Sequence, residues 1–132
     1  AVALAKEHGV RRAMMLNVSA PFHCSLMAPA AARMAEALAA TPPGAFTLPL
    51  YANVTAAAVS DPEAEAGLLV TQVTGRVRWR ESVLAMRADG VESFVELGAK
   101  VLGPMVSRID GEAEVRSLVT MADLEAFARE IA

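Results

Sequence analysis

Short apolar runs alternate with stretches of helical spacing along this chain, and that alternation restricts its fold more than any other feature. "RRAMMLNVS" from Arg11 to Val18, "FTLPLYANV" from Phe46 to Val54, "VESFVELG" and "AEVRSLVT" read as strands. Pro49 places the second of these at an edge or early in its strand. In "SLMAPAAARMAEALAA" the apolar residues Leu26, Met27, Ala30, Met34, Ala37 and Leu38 fall at helical offsets. Ser25 is the expected N-cap, Pro29 fits only the first turn, and "TPPGA" breaks the helix. A further helix runs to Gly75, with Ser60 or Asp61 as N-cap, Pro62 first, and Glu63 and Glu65 at the positive end of its dipole. "RWRESVLAMRADG" predicts a helix with Trp79, Val83, Leu84 and Met86 inward, ending at Gly90. In the strand "VESFVELG", Phe94, Val95 and Leu97 are the expected core. "KVLGPMVSRI" reads as helical despite Gly103 and Pro104, and "MADLEAFAREIA" as a last helix capped by Thr120. Strands and helices in this order predict an α/β domain with a largely parallel sheet.

The composition narrows the function. The chain has 132 residues, the length of one ordinary domain. A net charge of −3 gives no basic footprint for nucleic acid, and no apolar run is long enough to span a membrane. One cysteine excludes an internal disulfide and fits a reducing compartment, the cytoplasm. The opening "AVALAKEHGV" reads as the middle of an amphipathic helix closed by Gly9, with no cap before it. The expectation is a piece of a longer protein.

Few residues could carry chemistry. His23, in "SAPFHCSLMAP", lies on a loop after a strand, where active groups gather in open α/β sheets. An imidazole there can serve as a general base near neutral pH, or be held by a backbone carbonyl for structure; position alone leaves both open. His8 falls on the polar face of the first helix and reads as a solvated surface residue. Cys24 adjoins His23, but neighbours in an extended segment point apart, so it reads as a small buried apolar residue. Two histidines and one cysteine at no ligand spacing do not make a metal site. The "NVT" at Asn53 matches a glycosylation sequon with nothing else to indicate secretion. Lys100 in "GAKVLGP" lacks phosphate-loop spacing and reads as a surface charge. Arg76, Arg78 and Arg80 at a helix start read as a solvated face able to meet an acidic partner. No G-x-S-x-G nucleophile elbow occurs. A base at His23 must therefore serve a nucleophile outside this sequence or on the substrate.

"GVRRAMMLNVSAPFHCSLMAPAAARMAEAL" resembles the histidine region of the malonyl-CoA:acyl-carrier-protein transacylases of fatty acid synthesis. "LPLYANVTA", "LLVTQVTGRVRWRESV" and "GVESFVELGAKVLGPMVSRI" resemble further blocks of that family, in order and at similar spacing. The likeness covers nearly the whole chain and corresponds to the C-terminal part of the family. It implies that residues 1–18 end a ferredoxin-like small subdomain. Residues 19–132 would be the C-terminal part of a hydrolase-like, parallel-sheet α/β domain.

The resemblance implies an acyl-serine mechanism. His23 would activate the serine, with its other ring nitrogen held by the backbone carbonyl of Gln72. Phe22 matches a position tied to acyl choice, where a ring disfavours a methyl branch by ~1–3 kcal/mol. Asn53 matches an asparagine at a strand end and would shape the substrate pocket, or serve a turn. The substrates would be malonyl-CoA and the phosphopantetheinylated acyl carrier protein, with no resident cofactor or metal. The serine, the malonate-binding arginine and a glutamine-loop oxyanion donor would lie in a missing N-terminal part. "GAKVLGP" is one residue shorter than the family's glycine-rich turn. Two other readings remain: a fragment of a polyketide synthase acyltransferase domain, and a non-catalytic acyl-carrier-binding fragment.

Overall fold

The computed structural model describes residues 1–15 and 17–132. In chain order they form α1 (Val2–Glu7), a 3₁₀ turn (Ser25–Met27), α2 (Ala28–Ala40), β1 (Leu50–Ala52), β2 (Ala57–Val59), α3 (Pro62–Thr74), α4 (Trp79–Ala88), β3 (Ser93–Leu97), α5 (Leu102–Ile109), β4 (Glu114–Leu118) and α6 (Met121–Ile131). Helices and strands are mixed as the alternation predicts, but the sheet is not largely parallel. β3 and β4 pair in parallel, from Ser93 opposite Glu114 to Leu97 opposite Leu118. β1 and β2 instead form a separate antiparallel pair, Leu50 opposite Val59.

The differences from expectation have local causes. Pro49 has no N–H to give a ladder, so the strand expected from Phe46 begins only at Leu50. β2 follows a tight reversal in which Ala56 N–H bonds Ala52 O at 2.8 Å and Ala56 takes a φ of 57°. Nothing in the apolar pattern announces that reversal. The described residues of 11–18 lie in no strand; Leu16 of that expected strand lies outside the described residues. Ser25 does not cap α2. It opens the 3₁₀ turn, and α2 starts at Ala28 with Met27 before it and Pro29 in its first turn.

Capping fixes the later helices. Asp61 accepts from Glu63 N–H at 3.0 Å and Pro62 opens α3. Thr120 and Asp123 form a capping box on α6. At α5 the first N–H groups have no partner within the helix, and Glu96 covers those of Val101, Leu102 and Gly103 at 2.8 Å. Gly103 permits this closeness, since a Cβ would stand 2.9 Å from both Ser117 Oγ and Val115 Cγ1.

The well-buried apolar side chains are few: Ala52, Val83, Val106 and Leu118. Val83, Val106 and Leu118 lie on α4, α5 and β4, where α5 packs on both α4 and β4, and Ala52 lies on β1, which contacts α3 and α4. On α4, Val83 is inward as expected, whereas Leu84 is exposed. On β3, Val95 and Leu97 are likewise exposed rather than core. α2 packs along α3, which brings the loop before α2 to the end of α3.

Candidate active site

Two tight turns frame His23. Phe22 N–H closes on Ala20 O and Met27 N–H on Cys24 O, each at 3.0 Å. Between them His23 takes a φ of 57°, the left-handed region that costs a side-chain-bearing residue ~1–3 kcal/mol. Cys24 then returns to extended backbone, with φ −145° and ψ 172°. Cys24 is half-buried, not fully buried as expected, and its thiol donates to Pro21 O at 3.0 Å.

The imidazole reaches the C-terminal end of α3. The last four carbonyls of a helix lack partners within it. Gly75 N–H takes Thr71 O, and α3 ends at Thr74, so the Gln72 carbonyl stays open. His23 Nδ1 lies 3.0 Å from that oxygen. A carbonyl only accepts, so this contact puts the proton on Nδ1 and leaves the lone pair on Nε2. The Gln72 side-chain amide is 3.3 Å from the same Nδ1, but cannot donate to a nitrogen that carries a hydrogen. It donates instead to Gly75 O at 3.1 Å.

Gly75 holds the partner in place. A Cβ there would stand 2.9 Å from both Thr71 O and Val54 Cγ2, so the end of α3 and the end of β1 close on each other only because position 75 is bare. Asn53 gives its main-chain carbonyl to Arg78 N–H at 3.0 Å, and Arg78 Nη1 reaches Thr55 O at 3.2 Å. Asn53 and Gln72 both line a cavity of about 190 Å³ between β1 and α3. Of the four residues singled out from the sequence, His23 and Gln72 are hydrogen-bonded and Asn53 shares this cavity with Gln72. Phe22 stands apart, more than half exposed.

Sequence reasoning missed Glu65. It serves not only as a first-turn acid for the dipole but as a wall of the same cavity, 4% exposed. Its Oε2 and the Gln72 Oε1 are buried without a hydrogen-bond partner among the described residues, and burial pushes the Glu65 carboxyl above the usual range. The signal was the spacing: Glu65 is seven residues before Gln72, and so on the same face of α3. No cluster of three or more metal-ligating side chains occurs among the described residues. No helix among them is long and apolar enough to cross a membrane.

Comparison with known proteins relates the chain to one family. The chain is 38% identical over 127 residues to the malonyl CoA-acyl carrier protein transacylase of Haemophilus influenzae, covering 96% of this chain and 41% of the relative. It superposes on the acyl-carrier-protein S-malonyltransferase of Bartonella henselae with a TM-score of 0.89 at 44% identity, over 98% of this chain and 42% of the other. The chain is a relative of the malonyl-CoA:acyl-carrier-protein transacylases. A malonyl-transacylase solved in complex with a type II polyketide synthase acyl-carrier protein is similar at 32% identity and TM-score 0.88, over 97% of this chain and 42% of that one. No family model matches. The chain spans 34–41% of the length of curated transacylases that it matches. Within that share it holds the histidine loop, α3 and the β3–α5–β4 unit described above.

Proposed function

We propose that this chain supplies the histidine side of a malonyl-transfer site. The complete protein would move malonyl from coenzyme A to the phosphopantetheine thiol of acyl carrier protein, in fatty acid synthesis in the cytoplasm. The observation that carries the reading is the 3.0 Å contact of His23 Nδ1 with the Gln72 carbonyl, which leaves Nε2 able to take a proton. A serine in the part of the protein outside this chain is the nucleophile. Its hydroxyl proton passes to Nε2 as its oxygen attacks the thioester carbonyl. The carbon–sulfur bond breaks, and the leaving thiolate takes that proton back. In the second half the carrier thiol gives its proton to Nε2 and attacks the acyl-serine ester. The serine oxygen leaves and recovers the proton. Gln72 keeps the imidazole in one tautomer through both halves but brings no full charge, so it stabilises the imidazolium less than a carboxylate would.

In this reading residues 1–18 end a ferredoxin-like small subdomain, and residues 19–132 are the C-terminal part of a hydrolase-like domain whose remaining strands lie in the rest of the protein. The arginine for the malonyl carboxylate and an oxyanion donor lie there too. Phe22 screens the acyl group and Asn53 shapes the pocket beside Gln72. The chain alone is inactive, having no nucleophile elbow. In the complete protein, His23→Ala lowers acyl-enzyme formation from malonyl-CoA by ~10²–10⁴-fold, read as intact mass in a single turnover. Acylation at the wild-type rate would sink the assignment. A role in polyketide rather than fatty acid assembly has one observation in its favour, the likeness to the transacylase solved with a polyketide carrier.

A further inference from the structure

His23 Nδ1 has two neighbours on Gln72 that demand opposite tautomers. The main-chain oxygen, 3.0 Å away, only accepts and so needs a hydrogen on Nδ1. The side-chain nitrogen, 3.3 Å away, only donates and so needs a lone pair there. The first arrangement leaves Nε2 free to act as a base, and the second puts the hydrogen on Nε2 and ends that role. The direction of the Gln72 amide decides between them. It points at Gly75 O, 3.1 Å away. A terminal amide turns over a broad torsional range, so one bond does not fix it. Its other end, Oε1, is buried without a partner among the described residues, and so is Oε2 of Glu65. Both residues line the cavity of about 190 Å³ between β1 and α3, where Glu65 is 4% exposed. An amide oxygen and a carboxylate both accept, so the donor that each lacks comes from a third group. A cavity with this room and two such partners meets the needs of an ordered water.

We infer that Glu65 is a positioning residue for His23. A water held between its carboxyl and Gln72 Oε1 keeps the amide on Gly75 O and off Nδ1, an inference that rests on the base role proposed above. The relay works in either charge state. Ionised, Glu65 takes one hydrogen of the water, which gives the other to Oε1. Neutral, it gives its own proton to the water, which again gives one to Oε1. A shared water offsets only part of the cost of burying a carboxyl, so Glu65 still burdens the fold while it orders the base.

The test uses the complete protein with ¹⁵N-labelled histidine, and His23→Ala identifies the His23 ring signals. Glu65→Leu lets the amide turn. The Nε2–H tautomer of neutral His23 then appears beside the Nδ1–H form, and acyl-enzyme formation from malonyl-CoA falls about two- to tenfold, the effect of one hydrogen bond of ordinary net strength. Glu65→Met, unbranched and of similar length, does the same. Glu65→Gln keeps a polar partner for the water and stays near wild type in both readouts. On a Gln72→Met background, which has no amide to compete for Nδ1, Glu65→Leu changes neither. A crystal structure of the complete protein shows the water within hydrogen-bond distance of both oxygens. An unchanged tautomer in Glu65→Leu and Glu65→Met overturns the inference. So does a shift that persists on the Gln72→Met background, or a cavity filled by a side chain from the rest of the protein. A wild type that forms no acyl-enzyme means that the transfer reaction is wrong; the tautomer, read without substrate, still decides the part of Glu65.

Discussion

His23 combines two unusual conditions in one residue, a left-handed backbone and a ring tied to a main-chain oxygen 49 positions away. Neither is readable from residue type. The loop position made a base possible, and only the wider blocks of the chain pointed to Gln72 as its partner. Glu65 shows the opposite failure. Its place in the first turn of α3 explained it well enough to hide that it is buried without a partner. An unpaired buried carboxyl costs ~1–3 kcal/mol, so Glu65→Leu in the complete protein should raise stability to denaturant by that order. The sign with pH follows from burial, which raises the folded-state pKa. Below the unfolded value both states are protonated and the site costs least. As pH rises toward the folded value, the unfolded state ionises first and stability is lost. The gain from Glu65→Leu should therefore be larger at pH 8 than at pH 4 in urea melts, and a gain that is equal at both would count against an ionisable burden at this site.

Among the elements, the helices and the β3–α5–β4 unit were legible because their signals are local: period, cap and terminal glycine. Asp61, Pro62 and Thr120 each act within a turn of where they stand, while Gly75 both ends α3 and lets Val54 approach. Strand pairing is not local, which is why β2 and the antiparallel partner of β1 were not foreseen. The entry to α5 is also a longer-range device, since Glu96 on β3 caps the first N–H groups of the helix. Burial of Glu96 acts to raise its carboxyl, but the N–H groups of Val101, Gly103 and Leu102 and the Ser117 hydroxyl outweigh it and lower the value from 4.5 to about 2. A depressed folded value contributes stability that is present above the unfolded value and lost as pH falls through the folded one. Glu96→Gln should therefore destabilise the protein at pH 7. The deficit should shrink between about pH 5 and pH 2, as measured by thermal melts across that range. A deficit that stays constant with pH would mean that shape, not charge, caps α5.

For the molecule as a whole, the small core stands beside many exposed apolar side chains, among them Leu48 at 77%, Leu26 at 72% and Leu97 at 67%. Surface of this kind is a liability in water unless something covers it. Produced alone, the 132-residue chain should bind the dye ANS and self-associate at micromolar concentration. Production together with the rest of a transacylase should suppress both. A monodisperse chain with no dye binding would mean that these faces are stable uncovered.

The tie between His23 and Gln72 also has a genetic consequence. Because the acceptor is a main-chain oxygen, no codon change at position 72 deletes it. A helix-compatible substitution there removes only the side-chain bond to Gly75 O, while a single-residue insertion in α3, which turns the helix by about 100°, would swing the oxygen off the ring. What must be inherited at that end of α3 is a length and a bare Gly75, more than the identity of any side chain.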